Sequence, residues 1–262
     1  MITSVQNSKI KKVKQLLASK NTRLKSNLCV IEGIRLAEEA MAAGWQPEIV
    51  LFSSYISQRG MALIEKIARK HLDIEEVHPD LLNRISDTRQ SQGLIMVVPI
   101  HVKEFCTHND RLLVLDNIRD PGNMGAILRS AAALTFNSVI MTPGCADPFS
   151  PKVMRAAMGA HFKIELMTMK ADEILNFCKD INKPALTTAL ADPEGGIDSW
   201  ECDLTQPICL IIGAEAEGAG EDFKSAADIH IRIPMHPTSE SFNAAISASI
   251  LMYETIRQRK SQ

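Results

Sequence analysis

Arg129 is the one charged side chain in an otherwise small and apolar stretch, Asn123 to Leu134. A guanidinium among apolar groups costs several kcal/mol of desolvation unless a carboxylate, carbonyls or a phosphate meet it. The pattern therefore predicts a partnered arginine, either in a structural salt bridge or as a clamp for an anion. Two other stretches have chemistry to offer. CLIIGAEAEGAG, Cys209 to Gly220, is an apolar strand running into a loop of three glycines and two glutamates, Glu215 and Glu217. Ile231 to Glu254 is a strand, then a polar loop with Ser241 and Asn243, then a long helix of small residues. Glycines let backbone approach a ligand closely, and carboxylates, amides and hydroxyls can orient one. Neither loop has GxGxxG spacing or a GK[ST] ending, so a dinucleotide enzyme or an NTPase has no phosphate cradle here.

Taken in order, Asn123 with Arg129, Gly213 with Glu215, and Ile233, Pro234, Ser241 and Asn243 resemble the three motifs of the SpoU family, the TrmH-like branch of the SPOUT methyltransferases. SPKVMRAAMGA at Ser150 to Ala160 stands between them. The resemblance spans about Leu112 to the C-terminus. It implies transfer of a methyl group from S-adenosylmethionine to a ribose 2′-hydroxyl of RNA, on a parallel-sheet fold with a deep trefoil knot and in a homodimer with the site near its interface. The family's polar site residues fall on Asn123, Arg129, Glu215, Ser241 and Asn243, with Glu215 able to pair with Arg129 and fix its plane. Its cofactor positions fall on Gly213, Ile233 and Phe242, with Met235 nearby. Ala214, Ala157 and Phe242 depart from the usual Asn, Ser and Leu. The first two delete a potential hydrogen bond each, which keeps open a rival reading as an RNA-binding assembly factor that kept the fold and lost the chemistry.

Arg129 is better suited to clamp a phosphate and stabilise a developing alkoxide than to act as general base. Neutralising a guanidinium near pH 7 costs about 7 kcal/mol. A charged arginine avoids that cost, and a phosphate oxygen or a water takes the proton.

The elements that must position these residues follow from the pattern. Beyond Asp110, strand signals at Leu112–Asp116, Ser138–Thr142, Ala185–Leu190, Ile208–Gly213 and Ile229–Pro234 alternate with helices. That predicts a mainly parallel sheet covered on both faces, with ligands bound at strand carboxyl ends. The first hundred residues alternate in the same way, with helices over Lys9–Ser19, Ile34–Ala43 and Gly60–Lys70 and strands at CVIEG, IVLFSS, DIEEV and GLIMVVP. They make a small α/β domain, and VIEGIRLAEEA and SQGLIMVV resemble the substrate-binding domain that precedes many SpoU catalytic domains. PIHVKEFCTHND, Pro99 to Asp110, breaks the alternation, giving domains over 1–100 and 108–262. The added domain favours ribosomal over transfer RNA.

Composition is that of a soluble globular protein, 45% apolar and 23% charged, with no run near the roughly 18 apolar residues that cross a bilayer. The N-terminal stretch lacks the apolar core of a secretory signal. Six cysteines without a CxxC pair argue against a zinc site and a disulfide framework, so the expected place is the cytoplasm and no metal is expected. Net charge is −2, weak for an RNA enzyme, but no acid precedes Glu32 while Lys9, Lys11, Lys12, Lys14, Lys20, Arg23 and Lys25 do. Lys9, Lys11, Lys12, Lys14, Arg23 and Lys25 are the expected RNA contacts, against the alternative of a solvated helix face. His161 and His236 are left out of the site, and Met154, Met158, Met167 and Met169 are expected as core filler.

Overall fold

The apolar runs LCVI, IVLF and LIMVV are continuous, so successive residues bury themselves on opposite faces of one sheet. The chain runs through α1 (Ser8–Ala18), α2 (Lys20–Ser26), β1 (Leu28–Glu32), α3 (Ile34–Ala42), β2 (Ile49–Phe52), α4 (Gln58–Ala68), β3 (Asp73–Glu76), α5 (Pro79–Ile85) and β4 (Leu94–Pro99). The sheet has the order β1-β4-β2-β3, with β4 antiparallel to both neighbours and β2 parallel to β3. Cys29, Ile31, Val50 and Met96 face one core with Ala37, Ala40, Leu63 and Ile67 of α3 and α4. Val30, Leu51 and Val97 face the other with Ile10, Val13 and Leu82 of α1 and α5. Side-chain period 2 on the strands and period 3.6 on the helices account for both cores.

The computed structural model describes residues 1–69, 73–88, 90–101, 110–180, 185–215, 217–236, 238 and 241–260. Most of the expected linker, with Cys106, lies outside them. Two compact units result: Met1–His101 with Phe149–Phe162, and Val102–Pro148 with Lys163–Gln262.

After β5 (Arg111–Leu115), α6 (Pro121–Ala133) and β6 (Ser138–Met141), the chain makes α7 (Pro151–Ala157). The sequence reading put α7 in the second domain, but it groups with the first unit because Met154 and Phe162 bury themselves in that unit's core. The second unit resumes with β7 (Glu165–Thr168), α8 (Ala171–Cys178), β8 (Thr187–Ala191), β9 (Ile197–Asp198), β10 (Ile208–Ile212), α9 (Glu221–Ala226), β11 (Ile229–Arg232) and α10 (Ala244–Lys260). Its seven strands are parallel in the order β7-β6-β5-β10-β8-β11-β9. The central strands β5 and β10 read LLVL and ICLII and are buried throughout, as a sheet covered on both faces demands. One cover is α8 and α9, through Ile174, Cys178 and Phe223. On α10, Ser249 donates to Ser130 of α6 at 2.8 Å, and α10 also packs on β10.

Candidate functional site

Three chain segments meet where β5 and β10 end. Asp116, buried just after β5, accepts from Thr142 Oγ1 at 2.8 Å and from the Gly220 amide at 2.8 Å. It thereby pins the far end of the glycine loop to the strand that precedes α6. The loop folds back on itself through paired backbone bonds between Ala214 and Gly218, 3.0 and 2.9 Å, so the substitution at Ala214 leaves its shape to the main chain. Gly213 is required there: a Cβ would drive into the backbone of Gly218 and Ala219.

Glu215 is the hub of a polar cluster. Its Oε1 accepts from Asn123 Nδ2 at 2.8 Å, from Asn243 Nδ2 and from the Ala244 amide at 3.3 Å. Asn243 Nδ2 also lies 3.0 Å from Asn123 Oδ1, while its own Oδ1 caps α10 by accepting from the Ala245 amide at 3.0 Å. Asn123 is held in turn at the start of α6, its amide donating to the capping Asp120 at 2.8 Å. A carboxylate at the N-terminus of α10 also gains from the helix dipole. The three asparagine and glutamate side chains thus lock the starts of α6 and α10 to the loop after β10.

Beside the cluster lies a cleft of about 810 Å³, within the range of ligand pockets. Gly213, Ile233, Met235 and Phe242 line it, as do Glu215 and the exposed Ser241. The sequence reading missed its opposite wall, Ala191 to Glu194 after β8, although the end of a parallel strand was itself the available signal. Asp192 in that wall accepts from the Glu194 amide at 2.9 Å and pairs with His230 Nδ1 at 2.9 Å. Burial opposes its charge, but these hydrogen bonds and nearby cations win and hold its carboxyl below the usual range.

Arg129 stands apart, which corrects the expectation of a buried arginine paired with Glu215. It is exposed, and no ion pair or hydrogen bond engages it among the described residues. Helix geometry is the reason. Ala126, Arg129 and Ala133 share the outward stripe of α6, whereas Met124, Ile127, Leu128 and Ala131 face the core. Six residues of helix also turn Arg129 about 120° away from Asn123 and carry it about 9 Å along the axis. Ala157 is buried in α7, which groups with the first unit.

The basic run divides. Arg23 is buried and its guanidinium donates to the carbonyls of Leu16 and Leu17, closing the end of α1, so it is a structural residue and not an RNA contact. Lys9 is tied to Asp73 and Glu75 at 2.5 and 2.8 Å, which raises its pKa, and Lys12 to Glu48 at 2.9 Å. The sequence hid these acids because they lie 36 to 66 residues away. Lys11, Lys14 and Lys25 remain exposed, with no ion pair among the described residues.

Residues 110–253 match the SpoU rRNA Methylase family, and residues 7–96 match the MRM3-like substrate binding domain. The chain is 28% identical over 252 residues to the 23S rRNA (guanosine(2553)-2′-O)-methyltransferase RlmP of Bacillus subtilis, covering 96% of this chain and 97% of that one. The crystal structure of the SpoU methyltransferase AviRb from Streptomyces viridochromogenes in complex with the cofactor AdoMet is similar, with a TM-score of 0.87 at 25% identity over 98% of this chain and 100% of that one. The crystal structure of an RNA 2′-O ribose methyltransferase gives a TM-score of 0.83 at 30% identity, covering 99% of each chain. A family match across more than half of the chain, joined to likeness in fold along nearly all of it, makes this protein a member of the SpoU rRNA Methylase family.

Proposed function

We propose that this chain transfers a methyl group from S-adenosylmethionine to a ribose 2′-hydroxyl of ribosomal RNA. The observation that carries the reading is the junction of the cleft with the Asn123–Glu215–Asn243 cluster, in a family whose relatives include named rRNA 2′-O-methyltransferases. The cleft suits the cofactor: apolar Ile233, Met235 and Phe242 fit a heterocycle, the Gly213 backbone allows close approach, and Asp192 and Glu194 offer carboxylates to hydroxyl, ammonium and cationic groups. When bound, S-adenosylmethionine supplies an electrophilic methyl group. The cluster holds the loop after β10 against both helix starts, Ser241 orients the ribose from the rim, and Arg129 clamps the target phosphate with its planar fork. The acceptor proton leaves to a phosphate oxygen or a water. Calorimetry should show S-adenosylmethionine binding, and rRNA incubated with both should gain a 2′-O-methyl group. No cofactor binding at millimolar concentration would sink this reading in favour of an assembly factor without chemistry.

The active form is a twofold homodimer through the outer faces of α6 and α10. Ile246 and Tyr253 on α10 are 50% and 59% exposed, Phe242 lies just before them, and Arg129 has no ionic partner on its own chain among the described residues. A second copy covers that apolar stripe and gives Arg129 a site to serve. Ile246→Asp is expected to yield monomers by light scattering where the native chain gives twice the chain mass. The knot belongs to the same reading. Supporting it, β10 lies between β5 and β8 while β11 lies beyond β8, and the chain passes closely at Gly213. The cytoplasm is the proposed place of action, where rRNA is met and the buried Cys29, Cys145, Cys178, Cys202 and Cys209 stay free thiols. No described helix is long and apolar enough to cross a membrane.

RNA contact by the first unit falls to Lys11, Lys14 and Lys25. Their joint change to Ala should weaken RNA binding and flatten its salt slope by about 2 to 3. Arg23→Ala should leave that slope alone and instead lower folding stability by about 1–3 kcal/mol, from lost buried hydrogen bonds, read by denaturant melts. An Arg23→Ala protein of native stability would overturn the structural assignment.

A further inference from the structure

The first unit holds a cavity of its own, about 270 Å³, between the start of α3, the segment after α5 and helix α7. Ligand pockets run from about 300 Å³ upward, so it has room for one heterocycle and little more. Its apolar walls are Leu36, Met154 and Met158. Met158, expected in the core, is instead 40% exposed at the left-handed end of α7, with φ of 47°. Thioether side chains pack well against aromatic faces.

The polar lining is fixed and unsaturated. Glu32 is fully engaged, holding the hydroxyls of Ser86 and Thr88 and the Asp87 amide, so it shapes the wall. Gln92 Oε1 accepts from the Ile34 amide at 2.9 Å, which fixes the orientation of its amide and leaves Nε2 without an acceptor among the described residues. Glu39 Oε1 takes the Arg35 Nε at 3.2 Å, whereas its Oε2 is buried with no hydrogen-bond partner among the described residues. That oxygen rests on Gly159, where a Cβ would collide with it. A buried acceptor left unmatched is a cost, and a swing of the Glu39 side chain off Gly159 that brings its carboxylate to ligand N–H groups removes it. Glu32 and Glu39 face Arg35 and Arg155, so the lining carries no excess of positive charge and does not suit a bare phosphate.

We propose that this cavity reads one unpaired nucleobase of the RNA substrate, with guanine preferred, packed against the two methionines and hydrogen-bonded by Glu39 and Gln92. Guanine alone sets adjacent N1–H and N2–H donors, which a carboxylate can accept, beside the O6 acceptor that an amide N–H can serve. Unstacked bases are the usual targets of sequence-specific RNA recognition. The inference rests on the RNA reading above, and its test separates the two.

The full chain, labelled at its methionine methyls, is titrated with the RNA pentamers UUGUU, UUAUU, UUCUU and UUUUU, and separately with S-adenosylmethionine. UUGUU should bind at least about tenfold more tightly than UUUUU, on the scale of one good bidentate base contact, and should shift the Met154 and Met158 methyls. Glu39→Gln should erase the preference while retaining residual binding. Met158→Asn, which tolerates the left-handed backbone, should weaken UUGUU binding without affecting the cofactor titration. Equal affinity for the four pentamers, still methyls at Met154 and Met158, or a guanine preference that survives Glu39→Gln each overturns the proposal. Loss of cofactor binding with an intact guanine preference would strike the methyltransferase reading and leave the pocket standing.

Discussion

Arg129→Ala lowers methyl transfer by at least about a hundredfold, the scale of one charged transition-state contact, while S-adenosylmethionine affinity stays native. The expected cofactor positions Gly213, Ile233, Met235 and Phe242 line the cleft, and Arg129 lies on the outward stripe of α6. Arg129→Lys should rescue poorly, because a lysine keeps the charge and loses the planar fork. The location of the residue adds a sharper expectation. In the proposed homodimer, mixed from one Arg129→Ala chain and one Met235→Asp chain, an arginine that acts across the interface leaves one complete site, made of the first chain's cleft and the second chain's Arg129. An arginine that acts within its own chain leaves none. Activity near half of the native dimer supports the first arrangement, and activity no greater than in the Arg129→Ala homodimer refutes it. Near-native rates for homodimeric Arg129→Ala would reduce the residue to a surface charge.

Gly213→Ala should cost about a hundredfold in S-adenosylmethionine affinity, since overpacking against fixed backbone costs up to about 3 kcal/mol. The added methyl has no flexible side chain to displace; it meets the main chain of Gly218 and Ala219. The loop must open to admit it, and the opening moves Glu215 off Asn123 and Asn243. Isothermal titration reads the affinity, and a folded Gly213→Ala protein that binds as the native one does would show that loop closure is unimportant to the cleft.

Much of this architecture was legible in the chain. LLVL and ICLII read as central strands because a sheet covered on both faces needs continuous apolar runs, and the carboxyl-end rule led to the loops after β10 and β11. The two-residue edge strand β9 carries too few residues to show a period, and β7 is half-exposed, so neither declared itself. The turn formers from Asp120 to Gly125 suggested a helix from about Asn123, whereas Asp120 caps α6 and Pro121 opens it, two residues earlier. The outward aim of Arg129 was legible as well, since helical spacing puts it with Ala126 and Ala133, but its rarity among apolar neighbours drew the reading towards burial. The ion pairs of Lys9 and Lys12 were out of reach, because the packing of α1 against the sheet sets them and no local pattern records it. The wall at Asp192 follows the strand signal at Ala185–Leu190, so the carboxyl-end rule reached it too, although Ala191 to Glu194 holds no glycine or motif to draw the eye.

Among the described residues, Asp192, Glu194, Glu215 and Glu217 line the cleft with Lys224, and Arg119 pairs with Glu217 at 3.3 Å, which leaves the rim acidic. A field of that sign grips a ligand more firmly while the ligand carries positive charge on sulfur than after the charge has gone with the methyl group. Chemistry at the site thus loosens the hold on its own by-product, so exchange of spent for fresh donor proceeds downhill. Added salt, by screening the rim, weakens the hold on the charged donor and so narrows that difference.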